Sequence, residues 1–104
     1  MTEFGIKNDG HKPPIATVSP MFISEMAHVL QIGDDKYGRL NWLKGLDYER
    51  LVSAHLRHIY AFMSGEKNDA ETGTSHLISA ACCLMMLHHY EKTGRTDLDN
   101  RRFK

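Results

Sequence analysis

With 104 residues the chain has room for one domain and a modest core. Thirteen basic residues balance thirteen acidic ones, so no cationic excess points to nucleic acid. No charged-then-apolar leader opens the chain and its longest nearly apolar run, residues 77–87, is too short to span a bilayer, so neither secretion nor a membrane partner is expected.

Residues 1–18 are polar and carry Asn8, Asp9, Gly10 and the pair Pro13 and Pro14, which predicts an extended arm with a turn. Ser19 before Pro20 is a helix start: a side chain that caps, then a ring that presets the first turn. The first helix is expected over residues 20–32. Phe22, Ile23, Met26, Val29 and Leu30 recur at helical spacing, Glu25, His28 and Ile32 form the next stripe, and Gly33 reads as the stop.

Residues 36–45 hold the only Trp, three cations, an Asn and two glycines between two helical segments. An indole is large enough to form a pocket wall, and Lys36, Tyr37 and Asn41 beside it suit a phosphate or a base. The plainer alternative is that Trp42 and Tyr37 pack the loop onto the helices.

Asp47 predicts the cap of a second helix ending near residue 64, with Gly65 past its end. Val52, Leu56, Ile59 and Met63 make one apolar face, and Leu51, His55, His58 and Phe62 the neighbouring stripe. Residues 66–73 form a polar loop with Glu66, Asp69 and Glu71. Thr74 or Ser75 caps a third helix over residues 76–92, closed by Gly94. Its centre is apolar all round except Ser79, the pattern of a helix buried on every side. Three helices do not easily cover it, so a homo-oligomer is expected, with Leu77, Cys82, Met85 and Met86 at the interface. Residues 95–104 read as a polar tail that frays. The adjacent Cys82 and Cys83 cannot staple a fold, which suits a reducing cytoplasm. The fold class is therefore all-α: an arm (residues 1–18), a compact three-helix domain with a Trp-bearing loop (19–94) and a tail (95–104), completed by oligomerisation.

Two groups of residues could carry chemistry. An antiparallel pairing of the second and third helices would bring His58, Glu66, Asp69, Glu71 and His76 to one end of the bundle. Carboxylates with imidazoles suit a divalent cation, which can bind a polyphosphate and activate water. A solvated connecting loop is the alternative. Glu25 and His28 share a face of the first helix and either extend that site or face water. Arg57 beside His58 suits phosphate or an internal ion pair. The six methionines read as core filler.

In order, Asp9-Gly10-His11-Lys12-Pro13, Val29-Leu30, Gly33, Lys36-Tyr37-Gly38, Asn41-Trp42, Gly45, Arg57-His58, Gly65-Glu66, Asp69, Glu71, Gly73 and His76-Leu77 resemble the pattern of small, mostly phage-encoded proteins described as dATP/dGTP diphosphohydrolase-like. The resemblance covers residues 9–91. It implies hydrolysis of a deoxypurine triphosphate to the monophosphate and pyrophosphate, and kinship with the all-helical MazG-like pyrophosphohydrolases, which hold magnesium on helical carboxylates. Unlike those, this chain has no Glu-x-x-Glu, its Glu66–Asp69 pair falls in a loop, and Ser79 and Cys83 stand where the closer family carries His and Asn. The resulting expectation assigns catalysis to Glu66 and Asp69. It assigns Mg or Mn to His58, Glu66, Asp69 and His76, and a purine nucleotide to Lys36, Tyr37, Asn41, Trp42 and Arg57. The alternative is a non-enzymatic phage protein that sequesters a nucleotide or a nucleotide-derived defence signal.

Overall fold

The computed structural model describes residues 4–104, and the part of the expected arm at residues 1–3 lies outside it. Three helices carry the fold: α1 (Pro20–Tyr37), α2 (Tyr48–Met63) and α3 (His76–Lys92). No strand of regular length occurs among the described residues, only an isolated bridge between Asn68 and Ser75. No described helix is long and apolar enough to cross a membrane.

Each helix starts where a side-chain oxygen satisfies a free backbone N–H. Ser19 Oγ accepts from Phe22 N at 3.2 Å, Asp47 Oδ1 from Arg50 N at 2.9 Å and Ser75 Oγ from Ile78 N at 3.4 Å. The end of α1 differs from expectation. The helix runs five residues past Ile32, straight through Gly33, and stops at Gly38, whose φ of 101° is a glycine conformation. A helical glycine costs only about 1 kcal/mol relative to alanine, so one alone does not end a helix. Asp34 Oδ1 then accepts from Leu40 N at 3.0 Å and closes the turn into a short 3-10 segment, Asn41–Lys44.

α2 and α3 are antiparallel: His55 Nδ1 meets Ala80 O at 3.0 Å and His58 meets His76 one turn away. The buried side of α2 carries Leu51, with His55 and His58 partly covered. Val52, Leu56 and Met63, expected as a core face, are exposed instead. The helix turns its mixed stripe to α3, because His55 and His58 find partners there. α1 lies on the other flank of α3, where Cys82 Sγ sits 3.8 Å from Met26 O. Cys82 is thus buried within the chain and cannot serve the interface expected for it, whereas Leu77 and Leu84 of α3 are exposed. Leu51, Cys83 and Tyr90 form the buried core, with Trp42, Leu46 and Met86 packed against it.

The tail is docked, contrary to the fraying expected of it. Arg95 donates to the carbonyl oxygens of Leu43 (3.4 Å) and Lys44 (3.2 Å), and Arg102 grips Glu49 of α2 through two nitrogens at 2.9 and 2.8 Å. Polarity argued for solvent, but these arginines find carbonyl and carboxylate partners about fifty residues earlier in the chain.

Candidate functional site

The loop between α2 and α3 is a small closed structure. Asp69 N donates to Thr74 O at 2.8 Å and His76 N to Lys67 O at 3.1 Å. Asp69 Oδ1 accepts from the backbone of Glu71 (2.8 Å) and Thr72 (3.1 Å), leaving Oδ2 free. These backbone bonds, Glu71's above all, hold the Asp69 carboxyl below its usual range, so it is charged at neutral pH.

The loop returns the chain so that His76, the first residue of α3, lies under His58 near the end of α2. Their Nδ1 atoms are 2.9 Å apart, and His76 Nε2 is 3.1 Å from Glu66 Oε1. His76 is 4% exposed. One ligand-capable atom each from His58, Asp69 and His76 lies within 4.8 Å of the others. Burial, then the neighbouring His76 ring, pushes His58 below its usual value, so it is a neutral imidazole with a lone pair to offer. Of the residues expected at a metal, His58, Asp69 and His76 come together, while Glu66 stands outside that group on the far nitrogen of His76. The donor chemistry, two imidazoles and a carboxylate, fits a divalent ion such as Mn, and fits Mg, which favours oxygen, less well.

The expected nucleotide residues separate. Tyr37, Asn41 and Trp42 line one cavity of about 460 Å³, walled by Leu30 and Gly33 of α1 and floored by Met86 of α3. Trp42 stands edge-on to His89 at 5.1 Å between centroids, and the Tyr90 hydroxyl donates to its carbonyl oxygen, so the indole is fixed. Lys36 instead reaches the acidic loop, 3.2 Å from Glu71 Oε1, and this bond raises its pKa. Arg57 is exposed on α2, close enough to His58 to lower its pKa. A second, more polar cleft of about 560 Å³ lies between α1 and the loop, lined by Glu25, His28, Asn68, Thr72 and Thr74. Val29 borders both spaces. Met86 and His76 are ten residues apart on α3, so the indole cavity and the histidine cluster stand about 15 Å from each other along that helix.

Sequence reasoning missed Arg50, which lines the indole cavity. A signal was available: Arg50 and Arg57 are seven residues apart, hence on one side of α2 and about 10 Å from each other. Arg50 thus lies at the indole cavity and Arg57 about two turns further along α2, beside His58.

The chain is thus an all-helical domain with a fixed indole at one cavity and a histidine–carboxylate cluster at one end of the α2–α3 hairpin. The chain belongs to the family described as dATP/dGTP diphosphohydrolase, N-terminal, which it matches over residues 2–101. It is 41% identical over 99 residues to a protein of Salmonella phage PMBT28 named dATP/dGTP diphosphohydrolase. That match takes in 95% of this chain and 33% of the relative, so the chain spans about a third of the relative's length. No solved structure matches it.

Proposed function

We propose that the chain binds a purine deoxynucleoside triphosphate along a groove from the Trp42 cavity toward the histidine cluster and, with a divalent ion at that cluster, releases the monophosphate and pyrophosphate. The observation that carries this reading is the convergence of His58, Asp69 and His76 within 4.8 Å, about 15 Å along α3 from the Trp42 cavity. The relative's printed name supports the substrate class. Trp42 and Tyr37 hold the base, Asn41 reads its edge, and Arg50 and Arg57 track the phosphates toward the cluster. Lys36 ties the acidic loop to α1 through Glu71. An ion bound at the cluster supplies charge neutralisation for the polyphosphate and a more acidic water. Asp69, the charged carboxylate with one free oxygen, and Glu66, on the His76 ring, are the catalytic carboxylates of this reading.

A second reading is binding without turnover. It is favoured by the Trp42 cavity lying about 15 Å from the cluster and by the chain matching only a third of a named diphosphohydrolase. Either reading includes a cytoplasmic setting, which the free Cys82 and Cys83 suit. Either also includes self-association. Val52, Leu56 and Met63 of α2 and Leu77 and Leu84 of α3 all lie on the flank of the hairpin away from α1, and such an apolar patch marks an interface. A second copy pairing the same face would complete a four-helix layer.

Binding is tested by the emission of Trp42, the only indole. Purine deoxynucleotides change it saturably, and Trp42→Ala weakens them roughly tenfold or more, since stacking on an aromatic is worth about 1–3 kcal/mol per base. Arg50→Ala weakens triphosphates more than nucleosides. Unaltered nucleotide affinity in both folded variants would remove the nucleotide from this groove.

A further inference from the structure

Resting on the metal reading above, we infer that the ion is held by His58, His76 and Asp69 alone, that Glu66 is the outer carboxylate that orients His76, and that the site therefore prefers imidazole-binding ions to Mg.

The argument is one of hydrogen-bond accounting. An ionised carboxylate only accepts, so the bond between Glu66 Oε1 and His76 Nε2 at 3.1 Å requires the proton on that nitrogen. A His76 ring with its single proton on Nε2 keeps its lone pair on Nδ1, the atom 2.9 Å from His58 Nδ1. His58 supplies the one proton of that pair. When His58 donates it elsewhere, two bare nitrogens face the same point. Nitrogens bound at 2.0–2.1 Å to a tetrahedral ion stand about 3.3 Å apart, so the two rings need only a few tenths of an ångström of adjustment. The Asp69 carboxylate completes the set, and its orientation is fixed in advance by two backbone bonds to Oδ1. Glu66 stands outside the group that closes to within 4.8 Å, and it takes the place that a carboxylate commonly occupies behind a metal-bound histidine. His76 is buried while the Glu66 side chain is 51% exposed, which suits an inner ligand and an outer one. A set of two imidazoles and one carboxylate ranks Mn, Co and Zn above the oxygen-seeking Mg.

The test uses the full chain freed of metal and titrated with Co²⁺, whose visible absorption reports the kind and number of its ligands. The expected result is one Co²⁺ per chain with a spectrum of nitrogen and oxygen ligands, displaced by Zn²⁺ and not by a hundredfold excess of Mg²⁺. Glu66→Gln keeps that spectrum and weakens binding about 10–100-fold. Asp69→Asn and His58→Gln alter the spectrum itself. Circular dichroism checks that each variant keeps its helices. A changed spectrum in folded Glu66→Gln would place Glu66 among the ligands and overturn the assignment, as would displacement by equimolar Mg²⁺. No Co²⁺ bound by the folded wild-type chain would overturn this inference and the metal reading together. Co²⁺ bound as described without nucleotide turnover would overturn only the proposed activity.

Discussion

Two glycines with opposite roles show how much one Cβ decides. Gly45 has a φ of 111°, and an added Cβ would stand 2.6 Å from Arg95 Nη2 and 2.9 Å from a Leu98 methyl. Gly45→Ala should therefore lose about 2 kcal/mol by strain and by displacing the docked tail, seen as a lower urea midpoint. Gly33 sits inside α1 with nothing within 4 Å of its would-be Cβ, yet it lines the Trp42 cavity. Gly33→Ala should gain up to about 1 kcal/mol from helix propensity while narrowing the space for a base. Higher stability with weaker purine binding is the expected pair of results; unchanged binding would place the base elsewhere. The sequence made the chemical candidates at this scale visible, because Trp42, His58, Asp69 and His76 are rare or clustered residue types. It did not disclose Arg50 as a cavity residue or Lys36 as a partner of Glu71, since both depend on how α1 lies across the hairpin.

At the scale of elements, the helix starts were legible because a cap is a local event: Ser19, Asp47 and Ser75 each bond a nitrogen three residues on. The end of α1 was not, because one glycine alone does not end a helix. The tail was not either, because its partners are distant in sequence. Glu49 of α2 is held below the usual carboxylate range, chiefly by the hydrogen bond from Arg102 of the tail. A depressed folded pKa means that the undocked state binds more protons in acid. The docking energy is thus complete above the ordinary carboxylate pKa of about 4 and declines as pH falls through the lower folded value. Amide exchange should show protection at Arg95, Leu98 and Arg102 at pH 7, lost in acid before that of α3. Equal loss in both regions would mean that the ion pair does not hold the tail.

For the whole molecule, the sequence pointed to uncovered apolar surface on α3, and Leu77 does lie exposed there, whereas Cys82 does not. The expected interface residue Cys82 is covered by α1, and the open surface runs over Val52, Leu56, Leu77 and Leu84. Leu84→Glu should lower any assembly to the monomer in light scattering without loss of helicity; a wild-type chain monomeric at high micromolar concentration would remove the proposed pairing. The proposed site takes in the Trp42 cavity and the histidine cluster. Its proposed chemistry is tested most directly by incubating the purified chain with dATP and dGTP and Mn²⁺ and identifying the products by mass spectrometry. The account predicts nucleoside monophosphate and pyrophosphate in equal amounts, none after chelation of the metal, and none from a folded Asp69→Asn chain. Triphosphate recovered intact from metal-loaded wild-type protein, or cleaved to diphosphate and phosphate, would contradict it.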